Sequence, residues 1–554
     1  MVLDATWDGP AEGLQARLRW AVTNGGAEPV RLRSVAVELG LTTNGLVRVW
    51  RHGYQSWSPT GVAVLGEDRD PSAAGGAEML RAAHHSDQRI VDSPTQLRSE
   101  WVTVLTDEDG EAVLLGFEGS GRHDGCFRVD VGPDGAASTL VEAFIDADLS
   151  SGQTLDLDDV IAMTGPEGGV DALLETWADR VGSSGSARTT AGYQVGWCSW
   201  YHYFHRVSDA GLAANLALAR QWPFEVFQVD DGYQAGIGDW LHTNDRFPGG
   251  VRAMADSIRN HGLRAGIWLA PFLVAPDSEV AGTRPDWLAR WSGDGRPLHV
   301  WFSPPWGGGR GGLMYCLDTT RPDVLAHLEE TAGRLTGAGF DYLKLDFTFA
   351  PAAEGTWSDP GVTPAQRVRA GFEAIRRGTG PEAFLLGCGV PLAHVVGVVD
   401  AVRIGQDVAP LWSLDPAEEA VPGYLSTQPA TLHALASTLG RSFMHRRLWL
   451  NDPDCLMLRQ TSTELAPTAA RTWARVVGLS GGMALVSDDL ALLGDDARDL
   501  LGRVLTLGRA CDAEARLGRT PLVVDRMTAA VPTRMAAGGR SLNVDARSGA
   551  SEWT

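Results

Sequence analysis

The chain has 554 residues, 44% of them hydrophobic and 21% charged, which predicts a folded protein of two or three domains rather than a disordered chain. No apolar run reaches the roughly 18 residues that a membrane span needs. The formal net charge of −22 repels phosphate backbones and anionic lipids, so we expect no nucleic acid and no membrane as partner, and a neutral small molecule or polymer as ligand.

The N-terminal segment MVLDATWDGPAEG has no basic stretch followed by an apolar one, which predicts no secretory signal and a cytoplasmic location. The six cysteines are scattered without CxxC pairs. This spacing favours reduced thiols over a disulfide framework or a zinc site.

Between about residues 14 and 165 the sequence has short strand-like runs such as LQARLRWAV, WVTVLTD and EAVLLGFEG, separated by Gly, Asp and Asn turns. This pattern predicts an all-β domain, a large sandwich. A helical stretch, VDALLETWADRV, and a segment of small residues typical of a linker, SSGSARTTAG, follow it. We place an N-terminal β-sandwich domain at residues 1–185.

From residue 186 short apolar strands alternate with amphipathic helices, which is typical of a parallel sheet covered by helices. Eight strands are predicted, at residues 194–200, 225–231, 264–272, 342–347, 383–389, 400–407, 446–452 and 483–489. They indicate a central (β/α)8 TIM barrel at 186–512, with its active site at the C-terminal ends of the strands. Two further runs, TPLVVD and RSLNVDA, predict a small C-terminal β domain at 513–554.

The fourth barrel strand, YLKLDF, contains the only lysine of the chain, Lys344; arginine carries the other basic charges. A lysine persists in such a sequence where a compact ammonium is required, so Lys344 is a functional candidate. Asp346 lies two residues further on, and on a strand both side chains project from the same face. A neighbouring ammonium favours the ionised carboxylate, which suits a nucleophile. The alternative is a structural ion pair inside the barrel.

Further carboxylates gather at strand ends: Asp230, Asp231, Asp407, Asp452, Asp454, Asp488 and Asp489. They suit either a metal or sugar hydroxyl groups. Metal sites in barrels usually recruit histidine at strand ends; none of these strands ends in one, and we interpret His202 and His205 as packing residues. We therefore expect carbohydrate chemistry without a metal or other cofactor. Glycosidic cleavage needs one ionised and one protonated carboxyl group, and Asp407, with no adjacent lysine, is the candidate proton donor.

A series of motifs runs along the barrel: GWCSWYHYF, FEVFQVDDGY, GIGDWL, GIWLAPF, YLKLDF, LLGCGVPL, VRIGQDVAPLW and LWLNDPDCLMLR. In this order they resemble the barrel motifs of glycoside hydrolase family 36, in clan D, and GYQSWSP at residues 53–59 resembles that family's loop from the β-domain. The likeness extends over the barrel, about half of the chain. It implies an α-galactosidase that removes terminal α-D-galactosyl residues from oligosaccharides or glycosides by retaining double displacement.

The resemblance also implies roles for single residues. Asp346 would be the nucleophile and Asp407 the acid/base. Asp230 and Asp231 would bind the galactose hydroxyls at C4 and C6, while Lys344 and Arg403 would hold other hydroxyls and the nucleophile. The remaining implied pocket residues are Trp57, Trp200, Trp268 and Cys388. The tryptophans and Cys388 have an alternative as core residues, and Arg403 as a structural ion-pair partner.

The stretch WFSPPWGGGRGGLMYCLD departs from the family, and its glycine-rich part, residues 306–312, predicts a mobile insertion beside the active site. Within the family, α-N-acetylgalactosaminidase activity and galactosyl transfer stay open. Outside it the alternatives are a Schiff-base aldolase that uses Lys344 and a non-catalytic sugar-binding protein. The natural aglycone, the linkage and the oligomeric state are not predicted.

Overall fold

The structure is a computed structural model that describes residues 1–9, 16–40, 43, 45–68, 96–119, 121–131, 137–306, 312–414 and 428–554. Within these ranges the chain forms an N-terminal β-sandwich, a central eight-stranded parallel barrel and a small C-terminal antiparallel sheet. The predicted architecture is confirmed. The predicted domain limits at 185 and 512 stay a prediction; the helix Asp495–Ala515 runs past the second of them.

Two antiparallel sheets form the sandwich. The first contains, in spatial order, Val2–Asp8, Ala16–Thr23, Val160–Pro166, Glu111–Phe117, Val102–Thr106, Arg48–Arg51 and Gly61–Val64, with Thr154–Asp156 beside Ala16–Thr23. The second contains Val30–Gly40, Ala137–Leu149, Asp124–Val131 and Leu97–Glu100. Alternate residues point into the core, where Trp20, Phe117 and Phe127 are buried.

The helix Val170–Ser184 follows the sandwich and packs between it and the barrel. Its Trp177 is fully buried, and the indole Nε1 donates to the Phe117 carbonyl at 3.1 Å. The same ring lies 6.2 Å from that of Phe443 in the barrel domain. This helix therefore ties the two domains together through apolar burial, before the chain enters the first barrel strand.

All eight predicted barrel strands are present. They are Val195–Cys198, Val226–Val229, Arg264–Leu269, Tyr342–Leu345, Phe384–Gly387, Ala401–Arg403, Leu450–Asp452 and Ala484–Val486. The first seven strands pair in parallel in sequence order, and the eighth pairs in parallel with the first. Between the seventh and the eighth, Met483 N donates to Asn451 O at 3.0 Å, which nearly closes the ring. All strand C-termini therefore meet at one mouth.

Long helices cover the barrel: Asp209–Ala219, Gly250–Asn260, Pro322–Ala338, Pro364–Thr379, Thr431–Gly440, Pro467–Ser480 and Asp495–Ala515. Three begin with proline, whose missing N–H is not needed in a first turn. After the fifth strand the chain forms only a short 3-10 helix, Leu392–Val395. A loop of the N-terminal domain reaches this place, because Leu392 N donates to Tyr54 O at 3.2 Å and Gln55 pairs with Pro391.

The C-terminal sheet consists of Leu522–Val523, Arg534–Ala537, Arg540–Val544 and Ser551–Trp553, all antiparallel. It packs against the last two barrel helices, where Thr472 Oγ1 lies 2.7 Å from Ser551 Oγ. In the part of the chain that the structure describes, no helix has both the length and the apolar character to cross a membrane.

Arg441, a fully buried residue directly after the helix Thr431–Gly440, fastens the N-terminal loop 53–58 to the barrel. Its Nη1 donates to the carbonyls of Ser56 at 2.9 Å and Ile404 at 2.7 Å, and its Nη2 donates to that of Ser58 at 3.0 Å. Burial lowers the pKa of this guanidinium to about 9. One side chain thus satisfies carbonyls from both domains that would otherwise be buried without donors.

We expect Arg441→Met to lower the midpoint of thermal unfolding by at least about 5 °C, because each buried carbonyl left without a donor costs about 1–3 kcal/mol. Differential scanning fluorimetry measures the change. Arg509→Met is the matched control, since Arg509 is exposed and its ion-pair partner, Glu225, is exposed as well. Equal midpoints for the two variants would show that Arg441 does not fasten the loop.

Candidate active site

Polar residues line the mouth of the barrel where its buried apolar strands end. Asp230 and Asp231 follow the second strand, Asp346 the fourth and Asp407 the sixth, while Asp452 ends the seventh. The strands before them are buried on both faces, so these carboxylates are brought to one rim. The side chains predicted from separate motifs therefore meet in one pocket.

Lys344 bridges two of these carboxylates. Its Nζ lies 3.0 Å from Asp230 Oδ2 and 3.8 Å from Asp346 Oδ2. The side chain is only 6% exposed, so burial by itself would lower the pKa of Lys344. The two carboxylates outweigh that effect and keep the pKa well above its usual value. Lys344 is therefore an ammonium at neutral pH.

The Asp346 carboxylate is fixed by two donors besides the lysine. Trp268 Nε1 donates to Oδ2 at 3.0 Å and the backbone N of Phe347 donates to Oδ1 at 2.8 Å. Phe347 itself has a φ of 52°, a strained value for a residue with a Cβ. The strand thus turns sharply after Asp346, and charge-assisted hydrogen bonds orient both carboxylate oxygens.

Arg403 forms a second hub on the opposite side of the rim. Its guanidinium lies 3.1 Å from Asp407 Oδ1, 3.0 Å from Asp452 Oδ2 and 2.9 Å from Asp454 Oδ1. Burial would lower the pKa of Arg403, but Asp452 and Asp454 raise it well above the usual value. Asp454, with a φ of 90°, also accepts from Val408 N at 2.9 Å and from the Tyr201 hydroxyl.

Asp407 differs from the other carboxylates of this hub. Its side chain is 32% exposed, whereas that of Asp454 is fully buried. Burial raises the pKa of Asp407 to about 7, and the like charge of Asp454 adds to the rise while Arg403 opposes it. Asp407 can therefore carry a proton at near-neutral pH, which a general acid requires.

Asp231 is held by three side chains of its own. Gln234 Nε2 donates to Oδ1 at 2.6 Å, Trp306 Nε1 donates to Oδ2 at 2.6 Å, and His205 Nδ1 lies 3.1 Å from Oδ2. Trp306 comes from the insertion between the third and fourth strands. Residues 307–311, most of its glycine-rich loop, lie outside the described residues, so the predicted mobility of that loop stays a prediction.

Aromatic rings form one wall of the pocket. Trp57, from the loop that Arg441 fastens, lies 5.0 Å from the Phe347 ring and packs with Phe349 and Cys388. Its indole Nε1 is buried and has no acceptor among the described residues. A Cβ at position 389 would come within 2.9 Å of the Trp57 ring, and Gly389 also has a φ of 53°. Only glycine suits this close approach.

Trp268 and Trp200 lie at different depths. The Trp268 side chain is 1% exposed and reaches the site through its indole N–H rather than through an open ring face. Trp200 is half-buried, and its ring centroid lies 5.0 Å from that of His205. The structure thus places all ten sequence-predicted residues at the barrel mouth or directly behind it, and their roles stay proposals.

Trp306 and Arg441 were not predicted from the sequence, whereas Asp454 was predicted only as one of several strand-end carboxylates and His205 only as a packing residue. His205 does pack against the Trp200 ring, and its partly exposed ring also contacts the Asp231 carboxylate, which was not predicted. The only sequence feature that pointed to a role for Asp454 in this site was its position just after a strand. Trp306 and Arg441 gave no local signal, since their partners are 75 and 385 residues away.

The model of the Melibiase family matches residues 196–352. Among curated proteins, α-galactosidase AgaA of Geobacillus stearothermophilus is 29% identical over 158 residues, which is 27% of this chain and 20% of that protein. The A type blood α-D-galactosamine galactosaminidase of Flavonifractor plautii is 26% identical over 162 residues, 28% of this chain and 15% of that protein. These matched stretches thus span a fifth or less of the curated relatives.

Solved structures match over nearly the whole chain. The structure of TtGalA, an α-galactosidase from Thermus thermophilus in complex with p-nitrophenyl α-D-galactopyranoside, has a TM-score of 0.69 and 28% identity, and the match covers 98% of this chain and 99% of that one. The glycoside hydrolase family 36 α-galactosidase AgaA has a TM-score of 0.61 over 96% of this chain and 69% of that one. At 14% identity the second match shows a shared fold.

Because Lys344 is the only lysine, a sample labelled with ¹³C-lysine gives a single Cε signal, and its titration measures one pKa. We expect this pKa to lie above the usual lysine value, and Asp230→Asn to lower it because the carboxylate at 3.0 Å is lost. Asp245→Asn, at an exposed position in the same loop, is the control. An ordinary lysine titration that Asp230→Asn leaves unchanged would contradict the ion pair.

Proposed function

We propose that this chain, which belongs to glycoside hydrolase family 36, is an exo-acting α-galactosidase that removes terminal α-D-galactosyl residues from oligosaccharides or glycosides with net retention. One observation carries the proposal: two aspartates of the same pocket stand in opposite electrostatic settings. Asp346 lies beside an ammonium and two hydrogen-bond donors. Asp407 is a carboxyl group whose pKa is raised to about 7. Retaining glycosidases use such a pair.

In the first step the Asp346 carboxylate attacks the anomeric carbon, and the bond from that carbon to the departing oxygen breaks. Lys344 and the indole N–H of Trp268 keep Asp346 oriented for attack. The product is a β-linked galactosyl-enzyme ester. No outside reagent is needed, because the electron pair of the broken bond stays on the departing oxygen.

Asp407 donates its proton to the departing oxygen in this first step. The resulting carboxylate then removes a proton from water, which attacks the same anomeric carbon from the face that the aglycone left. Asp346 departs as a carboxylate and Asp407 is protonated again. Two inversions at one carbon return the α anomer.

The remaining pocket residues suit recognition of a neutral, hydroxyl-rich sugar. Asp230 and Asp231 accept hydrogen bonds from the hydroxyls at C4 and C6, while Lys344 and Arg403 donate to others. The unpaired Nε1 of Trp57 offers a further donor. Trp200 lines the glycone side, and Cys388, fully buried behind Trp57, forms the wall.

A Schiff-base aldolase is disfavoured by the state of Lys344. An amine must lose its proton before it attacks a carbonyl group, whereas the pKa of Lys344 is raised well above its usual value. α-N-acetylgalactosaminidase activity stays the alternative within the family, since one curated relative is named a galactosaminidase. Paired assays with aryl α-galactoside and aryl α-N-acetylgalactosaminide distinguish these two activities.

We expect the protein to hydrolyse p-nitrophenyl α-D-galactopyranoside and to release α-galactose first, as seen by proton NMR before mutarotation. Asp346→Gly should abolish turnover, because the nucleophile is lost, and added azide should restore release of p-nitrophenol and form β-galactosyl azide. Asp245→Asn, at an exposed position later in the loop after the second strand, should keep full activity. Early β-galactose, or an Asp346→Gly variant that azide does not rescue, would refute the assigned roles.

The rate should fall as pH rises through about 7, because kcat/KM requires the protonated form of Asp407 and its pKa is about 7. Asp454→Asn removes a buried negative charge beside Asp407 and frees Arg403 for it, so both changes lower the pKa of Asp407. We expect the basic limb of kcat/KM to move to lower pH by about one unit. If the basic limb of Asp454→Asn lies at the same pH as that of the unaltered protein, Asp454 does not raise the pKa of Asp407.

A further inference from the structure

A second cavity lies on the outside of the barrel, between the helices Pro467–Ser480 and Asp495–Ala515 and the C-terminal sheet. Its volume is about 790 Å³, which is within the range of small-molecule sites. None of the residues described above at the barrel mouth lines it. We call it the arginine groove, after the side chains that line it: Arg471, Arg475, Arg503, Arg519 and Arg540.

Three of these arginines converge without a neutralising partner. Arg471 and Arg475 are one turn apart on the first helix, and Arg503 faces them from the second. Burial, together with the charges of Arg471 and Arg503, lowers the pKa of Arg475. Among the described residues no carboxylate forms an ion pair with any of the three, and Glu514, the one acid lining the groove, pairs with Arg519 at 2.5 Å. In a chain of net charge −22 this is an unusual local excess of cations.

The groove also has an apolar lining from the same two helices and the sheet. Its apolar residues include Leu479, Leu500, Val504, Leu507 and Trp553, and Trp553 is 37% exposed at the end of the sheet. Arg475 Nη1 donates to the Ser551 carbonyl at 3.1 Å and lies 3.0 Å from Ser551 Oγ, so its guanidinium is fixed at the wall. A pre-oriented cation beside an apolar surface suits a ligand that has both characters.

We propose that the arginine groove is a second binding site, and that it takes a small amphipathic anion with one carboxylate, sulfonate or phosphate group on an apolar body. The head group lies among Arg471, Arg475 and Arg503, where it relieves their mutual repulsion and accepts charge-assisted hydrogen bonds. The apolar body covers the leucines and Trp553. A neutral sugar, the substrate type proposed for the barrel mouth, gives these cations no counter-charge.

Two fluorescent probes that differ by one charge test this proposal. 1-Anilinonaphthalene-8-sulfonate carries a sulfonate, and N-phenyl-1-naphthylamine is the same ring system without it. We expect saturable binding of the sulfonate, weaker binding of the neutral probe, and competition from inorganic sulfate against the first probe only. Equal affinity for the two probes would overturn the assignment of an anion site.

Variants locate the binding in the groove. Arg475→Gln and Arg503→Gln should each weaken sulfonate binding roughly three- to tenfold, because a charged donor is lost, and leave the neutral probe unaffected. Ala510→Trp, at a lining position, should fill the groove and weaken both probes. Arg498→Gln, on the same helix but paired with Asp495 outside the groove, is the control. Sulfonate binding that is unchanged in all three groove variants would overturn the proposal.

None of these variants touches the barrel mouth, so hydrolysis of the aryl galactoside serves as a separate readout of intact folding. The binding test is independent of the proposed function, because the fluorescence of both probes measures binding whether or not the protein hydrolyses galactosides. Loss of sulfonate binding in Arg503→Gln with an unchanged unfolding temperature excludes a merely structural effect.

Discussion

Five carboxylates at the mouth of the barrel share two buried cations, and the chemistry that we propose depends on this imbalance. Lys344 forms ion pairs with Asp230 and Asp346. Arg403 forms ion pairs with Asp407, Asp452 and Asp454. A carboxylate removed from water without a full counter-charge takes up a proton rather than stay ionised. Burial raises the pKa of Asp454 and of the partly exposed Asp407, and the pKa of Asp407 reaches about 7. In the mechanism that we propose, one shared charge network thereby prepares the acid and orients the nucleophile.

The N-terminal domain closes one side of the pocket that holds this network. Where a barrel unit would ordinarily have its fifth helix, the loop 53–58 docks instead, fastened by the buried Arg441. That loop brings Trp57 against Phe347, directly after Asp346. Exclusion of water on this side strengthens every charge interaction in the pocket. The two domains are therefore parts of one site, although their cores are separate in sequence.

Much of this fold could be predicted, and for identifiable reasons. Barrel strands buried on both faces are continuous apolar runs, so all eight were found, with ends differing by a few residues. Lys344 and Asp346 were paired correctly because strand periodicity places residues i and i+2 together. The sequence did not predict the contacts of His205, Trp306 and Arg441. Only tertiary folding brings each of them near its partner, as with Trp306 and Asp231. The arginine groove likewise arises from two helices and a sheet that no local pattern connects.

Infrared difference spectroscopy tests, without substrate, whether Asp407 carries a proton in the resting protein. Subtraction of the Asp407→Asn spectrum from that of the unaltered protein isolates the carboxyl C=O stretch of this one residue. We expect a protonated-carboxyl band below neutral pH that disappears with a midpoint near pH 7, as the pKa of about 7 requires. A carboxylate band alone at pH 5.5 to 6, with no protonated form to titrate, would contradict it.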